Sequence, residues 1–129
     1  MSSGFIWWRR GHLVSSGLVC LIALVHSGVT PFLYRSWSSD AVWFLGTGLG
    51  LLLLALLNLT HVGVEPCGYV SAPVVRWANW VFLLLGAGAL VAIPEPQAYV
   101  LVLGLAGQAV AGQRTLRGPA PAEPPSPRQ

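Results

Sequence analysis

DAVWFLGTGLGLLLLALLNLT, residues Asp40–Thr60, carries one ionisable side chain, Asp40, at its first position. As a helix rising about 1.5 Å per residue, these roughly 21 residues reach about 30 Å, the thickness of a bilayer's hydrocarbon core. A stretch this long and this apolar predicts a membrane-crossing helix. Three further apolar runs surround it, so the predicted fold is all-α: an integral-membrane, antiparallel bundle of four transmembrane helices, at about 13–33, 40–60, 74–93 and 97–113.

The segments between these runs carry local stop and start signals. Residues 1–12 read as an amphipathic cytoplasmic lead, because Trp7 and Trp8 beside Arg9 and Arg10 suit a membrane–water interface. The run that follows is too long for a signal-peptide core and is expected to be retained as a helix. YRSWSS (34–39) predicts a short turn with Ser38 or Ser39 capping the next helix and Asp40 in its first turn. HVGVEPCGYVSAP (61–73) is rich in breakers, and Pro94-Glu95-Pro96 makes a sharp stop that leaves its flanking helices antiparallel. The membrane domain is expected to cover 13–117, followed by a disordered Pro-rich tail, GPAPAEPPSPRQ (118–129).

Composition agrees with this reading. Charged residues make up 9% of the chain and hydrophobic ones 54%, whereas soluble domains carry about a quarter charged residues. The seven basic residues, all arginine, are too few and too scattered for a nucleic-acid footprint and read instead as topology determinants. With four crossings, Arg9, Arg10, Arg76, Arg114, Arg117 and Arg128 share one side and Arg35 stands alone on the other. That asymmetry puts both termini in the cytoplasm. The expected partners are the lipid bilayer and a second copy or a larger membrane complex.

Polar residues recur on one face of each run. At 100° per residue, Asp40, Thr47 and Asn58 fall together; His12, Ser15, His26 and Thr30 share a face; Asn79 lies near Gly86 and Arg76; and Gln97, Gly104, Gln108, Gly112 and Thr115 share the last. Lipid offers such groups no partner, so the stripes are expected to meet at the axis. Ser15, Asn58, Asn79 and Gln108 come within about 10 Å of the cytoplasmic boundary, and His26 and Thr47 near 20 Å. The candidate intramembrane polar site is therefore His26, Thr47, Asn58, Asn79 and Gln108. The amide layer reads first as interhelical hydrogen bonding and second as a ligand site, and His26 as a functional group or as a neutral donor to Thr47 or a backbone carbonyl. Gly46 and Gly50, spaced G-x-x-x-G, join Gly86 and Gly104 as candidate helix-packing residues.

The usual equipment of catalysis is missing: no Ser-His-acid set, no phosphate loop, no paired carboxylates and no mid-helix acid for ion coupling. No catalytic residue, metal ligand set or cofactor is assigned. The string WFLGTGLGLLLLALLNL (Trp43–Leu59), with His26 before it and RWAN (Arg76–Asn79) after it, resembles a group of small, uncharacterised four-helix bacterial inner-membrane proteins. That resemblance implies the fold and the membrane, and supplies no active residue. The DoxX-like four-helix proteins are a more distant analogy, from which no residue carries over.

The expected function is that of a small multi-pass membrane protein without catalysis. It would be an accessory or assembly component, or a binder of a small apolar ligand or lipid between helices. Two alternatives stand beside it. One is a subunit of an oligomeric transporter or channel with a polar path through the bundle. The other is a membrane redox or haem protein using His12, His26 and His61.

Overall fold

The computed structural model describes residues 3–63 and 72–115. They form four helices: α1 (Ser3–Leu33), α2 (Ser39–Gly63), α3 (Ala72–Ala92) and α4 (Pro96–Thr115). The Pro-rich segment 118–129, expected to be a disordered tail, lies outside the described residues, as does most of the 61–73 connection.

Local chemistry sets most of the boundaries. α1 ends where Pro31 removes a backbone donor, and its last turn closes through the Tyr34 amide on the Thr30 carbonyl at 3.0 Å. Ser38 caps α2, its hydroxyl accepting from the Ala41 amide at 3.2 Å. α3 stops before Pro94, and α4 opens on Pro96, which suits a first helical position because the amide it lacks would be unpaired there. At the other end of α1 the expectation and the structure differ. Residues from Ser3 onward, read as a separate lead, continue α1 without a break, giving 31 residues. At about 1.5 Å each they reach roughly 46 Å, so α1 outruns a 30 Å core by several turns.

Contacts define how the helices run. His12 of α1 meets Asn58 late in α2, while His26 meets Phe44 early in α2. His12 also meets Thr115 at the end of α4, while Val19 meets Gly104 further back. α1 is therefore antiparallel to both α2 and α4. α1 packs extensively along these two helices, α3 chiefly along α4, and α2 and α3 touch more sparingly.

The buried residues of α1 are His12, Ser16, Val19, Ala23 and Thr30, and those of α2 are Ala41, Gly48, Leu51, Leu54, Ala55 and Asn58. Each of these residues has another of its set three, four or seven positions away, the spacing of a helix seam. Val19, Ala23, Leu51, Leu54, Ala55 and Leu105 form the apolar centre. Small residues set the approach distances. A Cβ on Gly48 would collide with the Ser27 hydroxyl and stand 3.1 Å from the His26 ring, and one on Gly86 would meet Leu105 at 2.8 Å. Gly104 lies against Val19 and Leu18, whereas Gly50 only makes ordinary contact with Phe82 and Gly46 faces open space. The close α1–α2 crossing therefore belongs to Gly48, midway between the two glycines of the G-x-x-x-G pair. Gly48→Val is expected to cost about 1–3 kcal/mol by overpacking, against about 0.5 kcal/mol or less for Gly46→Val. Detergent-solution thermal unfolding measures both.

The surface is the reverse of a soluble protein's. Val14, Leu21, Leu24, Leu53, Leu84, Leu85 and Leu103 are exposed, while His12, Ser16, Asn58, Asn79 and Gln108 are buried. α1, α2 and α3 are each long and apolar enough to cross a membrane. α4 falls short by composition, because Gln97, Gln108, Gln113 and its glycines lower its hydropathy. Between Gln97 and Arg114, however, its exposed residues are Tyr99, Val100, Leu103 and Val110.

Candidate functional site

The polar residues of the seam converge at the end of the molecule where α1 and α3 begin and α2 and α4 finish. Asn58 is the hub. Its Nδ2 donates to the Leu54 carbonyl at 2.9 Å and to Asn79 Oδ1 at 2.7 Å. Its Oδ1 accepts from Asn79 Nδ2 at 2.9 Å and lies 2.8 Å from His12 Nε2. Two amide protons and two carbonyl lone pairs are thus all used, which is everything an asparagine can offer.

That saturation settles the tautomer of His12. Asn58 Oδ1 can only accept, so His12 Nε2 carries a proton. His12 Nδ1 lies 2.6 Å from Thr115 Oγ1, which is also 3.1 Å from the Ala111 carbonyl. With a neutral imidazole, the Thr115 hydroxyl donates to Nδ1. With an imidazolium, Nδ1 donates to Thr115, whose proton turns to Ala111. One rotation of a hydroxyl serves both states without leaving a group unpaired. The cluster draws one residue from each helix: His12, Asn58, Asn79 and Thr115.

Two further buried residues face the same interior unpaired. Ser16 Oγ and both amide atoms of Gln108 have no hydrogen-bond partner among the described residues. Ser16 sits one turn along α1 from His12. Gln108 lies at a similar level, because Ser15 meets the neighbouring Gly107 across the α1–α4 seam. Each such group costs about 1–3 kcal/mol when left dry, so a side chain carrying two of them is an expensive choice for a purely structural position.

Of the residues singled out from the sequence, Asn58, Asn79 and Gln108 are fully buried and the first two are paired. Thr47 is exposed, and its hydroxyl donates to its own helix at the Trp43 carbonyl, 2.9 Å away, so it does not meet His26. The inward position is Gly48, 100° round the helix. His26 is half-buried and stacked on Phe44, with ring centroids 3.6 Å apart and planes 19° apart, and its Nε2 is buried without a partner. Sequence reasoning placed Ser15 in the amide layer, where the structure buries Ser16. It also put His12 at the boundary, where it is central. The helix already under way at Ser3 includes His12, and the packing of α2 and α4 against α1 decides that His12, Ser16, Val19 and Ala23 form the buried seam.

Between the His12 cluster and His26 the interior is apolar. The buried positions of α1 there are Val19 and Ala23, and those of α2 are Leu51, Leu54 and Ala55. The gap from Ser16 to His26 is roughly 15 Å along the helix. No continuous polar path crosses the described interior.

Cavities open on the seams among the described residues. One of about 390 Å³ lies between α1 and α2 at the far end, lined by Ser27, Thr30, Tyr34, Arg35, Trp37 and Leu45 among others. Ser27 Oγ, on its wall, is buried and unpartnered. Two others lie at the His12 end: about 300 Å³ between α1 and α4, with Trp7, Trp8 and Ser15, and about 400 Å³ between α3 and α4, with Arg76, Trp80 and Gln113. The site rests on this geometry alone, for no family model, curated protein or solved structure matches the chain.

Proposed function

We propose that this chain is a non-catalytic integral membrane protein of a bacterial inner membrane, an antiparallel four-helix bundle crossing the bilayer four times with both termini in the cytoplasm. It binds a lipid-like or small apolar molecule between α1 and α2. The His12 end carries Arg9, Arg10, Arg76 and Arg114, and the far end carries Arg35, Asp40 and Glu95, which supports the orientation. The apolar outward face of α4 supports the fourth crossing.

The observation that carries the binding role is the cavity of about 390 Å³ at the far end. Its walls of Pro31, Tyr34, Trp37 and Leu45 suit an apolar body, and Arg35 suits a polar or anionic head. That mixture of apolar lining and few polar groups is the usual make-up of a ligand pocket. The apolar interval between the His12 cluster and His26 weighs against a polar conduit in a single copy.

Purification in mild detergent and mass spectrometry of co-purifying small molecules test the role. A hydrophobic or lipid species is expected with the native chain and should be lost with Leu45→Trp, which fills the cavity; equal retention by the variant would remove this site. A carboxy-terminal green fluorescent fusion should fluoresce and an alkaline phosphatase fusion stay inactive, and the opposite pair would overturn the orientation.

A further inference from the structure

We infer that the α3–α4 cavity at the His12 end binds the phosphodiester of an anionic glycerophospholipid, a site separate from the α1–α2 pocket; this rests on the membrane reading above. The cavity measures about 400 Å³ and is lined by Pro73, Arg76, Trp77, Trp80 and Gln113. That is near the small end of ligand cavities, about 300–1,000 Å³, so it takes a head group and glycerol and leaves acyl chains outside.

Its chemistry matches a phosphodiester. Arg76 from α3 and Gln113 from α4 are both half-buried and face one space from two helices. A guanidinium binds phosphate oxygens through two parallel N–H bonds, and the glutamine amide supplies a further donor. Below them the lining becomes aromatic. Trp80 is 38% exposed and Leu84, one turn further into the apolar span, is 70% exposed, giving an acyl chain a continuous track along α3. Inorganic phosphate could use the arginine but not the track.

Charge selects an anionic lipid over a zwitterionic one. Arg9, Arg10 and Arg114 stand at the same end, and the described acids, Asp40 and Glu95, stand at the other. Glu65 and Glu123 lie outside the described residues. A zwitterionic head would bring its ammonium into this cationic field, whereas an anionic head adds no positive charge. Basic pockets between membrane helices on the cytoplasmic side recognise anionic head groups on these grounds.

The test uses the full chain in detergent micelles, titrated with brominated phosphatidylglycerol or brominated phosphatidylcholine, with quenching of tryptophan fluorescence as readout. Phosphatidylglycerol is expected to quench at about fivefold lower mole fraction, the worth of one arginine near a membrane surface. Trp80→Phe should remove most of the preferential component among the six tryptophans. Arg76→Gln should abolish the preference and, separately, Gln113→Ala should halve it, while Glu95→Gln at the opposite end keeps it. Equal quenching by the two lipids, an undiminished preference in Arg76→Gln, or competition by inorganic phosphate alone would overturn the proposal. Carbonate-washed membrane fractions separate this failure from that of the parent reading: a chain that stays in the membrane yet shows no lipid preference sinks only this site.

Discussion

Replacing Asn58 with leucine is expected to lower the unfolding free energy in detergent by roughly 2–3 kcal/mol, the largest loss among single changes at the polar cluster. Interhelical hydrogen bonds in membrane proteins average only about 0.6 kcal/mol, because helices separated in lipid find other partners. Asn58 differs from the average case because its bonds to His12 and to both ends of the Asn79 amide converge on one side chain. Leucine strands both neighbours in a dry interior at once. The pairing also predicts strong non-additivity. Asn58→Leu and Asn79→Leu together should cost about 1 kcal/mol less than the sum of the single changes, since the second removes a group that the first had already left unpaired. Strict additivity in a thermal or denaturant double-mutant cycle would mean that the two amides do not face each other.

Gln108→Leu should act with the opposite sign. The glutamine is as deeply buried as Asn58, yet neither amide atom has a partner among the described residues. An apolar side chain of similar volume relieves that penalty, so a gain of about 1–2 kcal/mol is expected in the same unfolding experiment. A loss of 1 kcal/mol or more would show instead that the amide bonds to ordered water, which buried polar groups commonly hold. If the gain is found together with an altered complement of co-purifying molecules, Gln108 is a residue kept for binding at the expense of stability. Ser16→Ala, which removes the other unpaired group, provides the matched small change.

Opposite signs at two buried amides have a plain cause. Both lie on polar stripes, and both are fully buried. Whether each meets a partner depends on the neighbouring helix: Asn58 and Asn79 oppose each other at one level, while no described side chain pairs with Gln108. The His12–Thr115 contact belongs to the same set of outcomes. Two residues 103 positions apart meet at 2.6 Å because α1 begins at Ser3 and runs antiparallel to α4.

The amino-acid sequence alone determined the number of helices, the breaks after α1 and α3, and the burial of Asn58, Asn79 and Gln108. Those features depend on short-range causes: an unbroken apolar run, the Ser38 cap, the Pro94-Glu95-Pro96 stop, and the cost of an unpaired amide in lipid. Tertiary packing alone decided that Gly48 rather than Gly46 forms the close crossing, that Thr47 turns outward, that Ser16 rather than Ser15 is buried, and that His12 lies at the centre of the cluster. Neighbouring residues on a helix differ by 100° in direction, and adjacent helices can slide by a turn without changing which face is polar. Fine azimuth and axial register therefore emerge only when side chains such as Leu105 and Ser27 fill the space against Gly86 and Gly48.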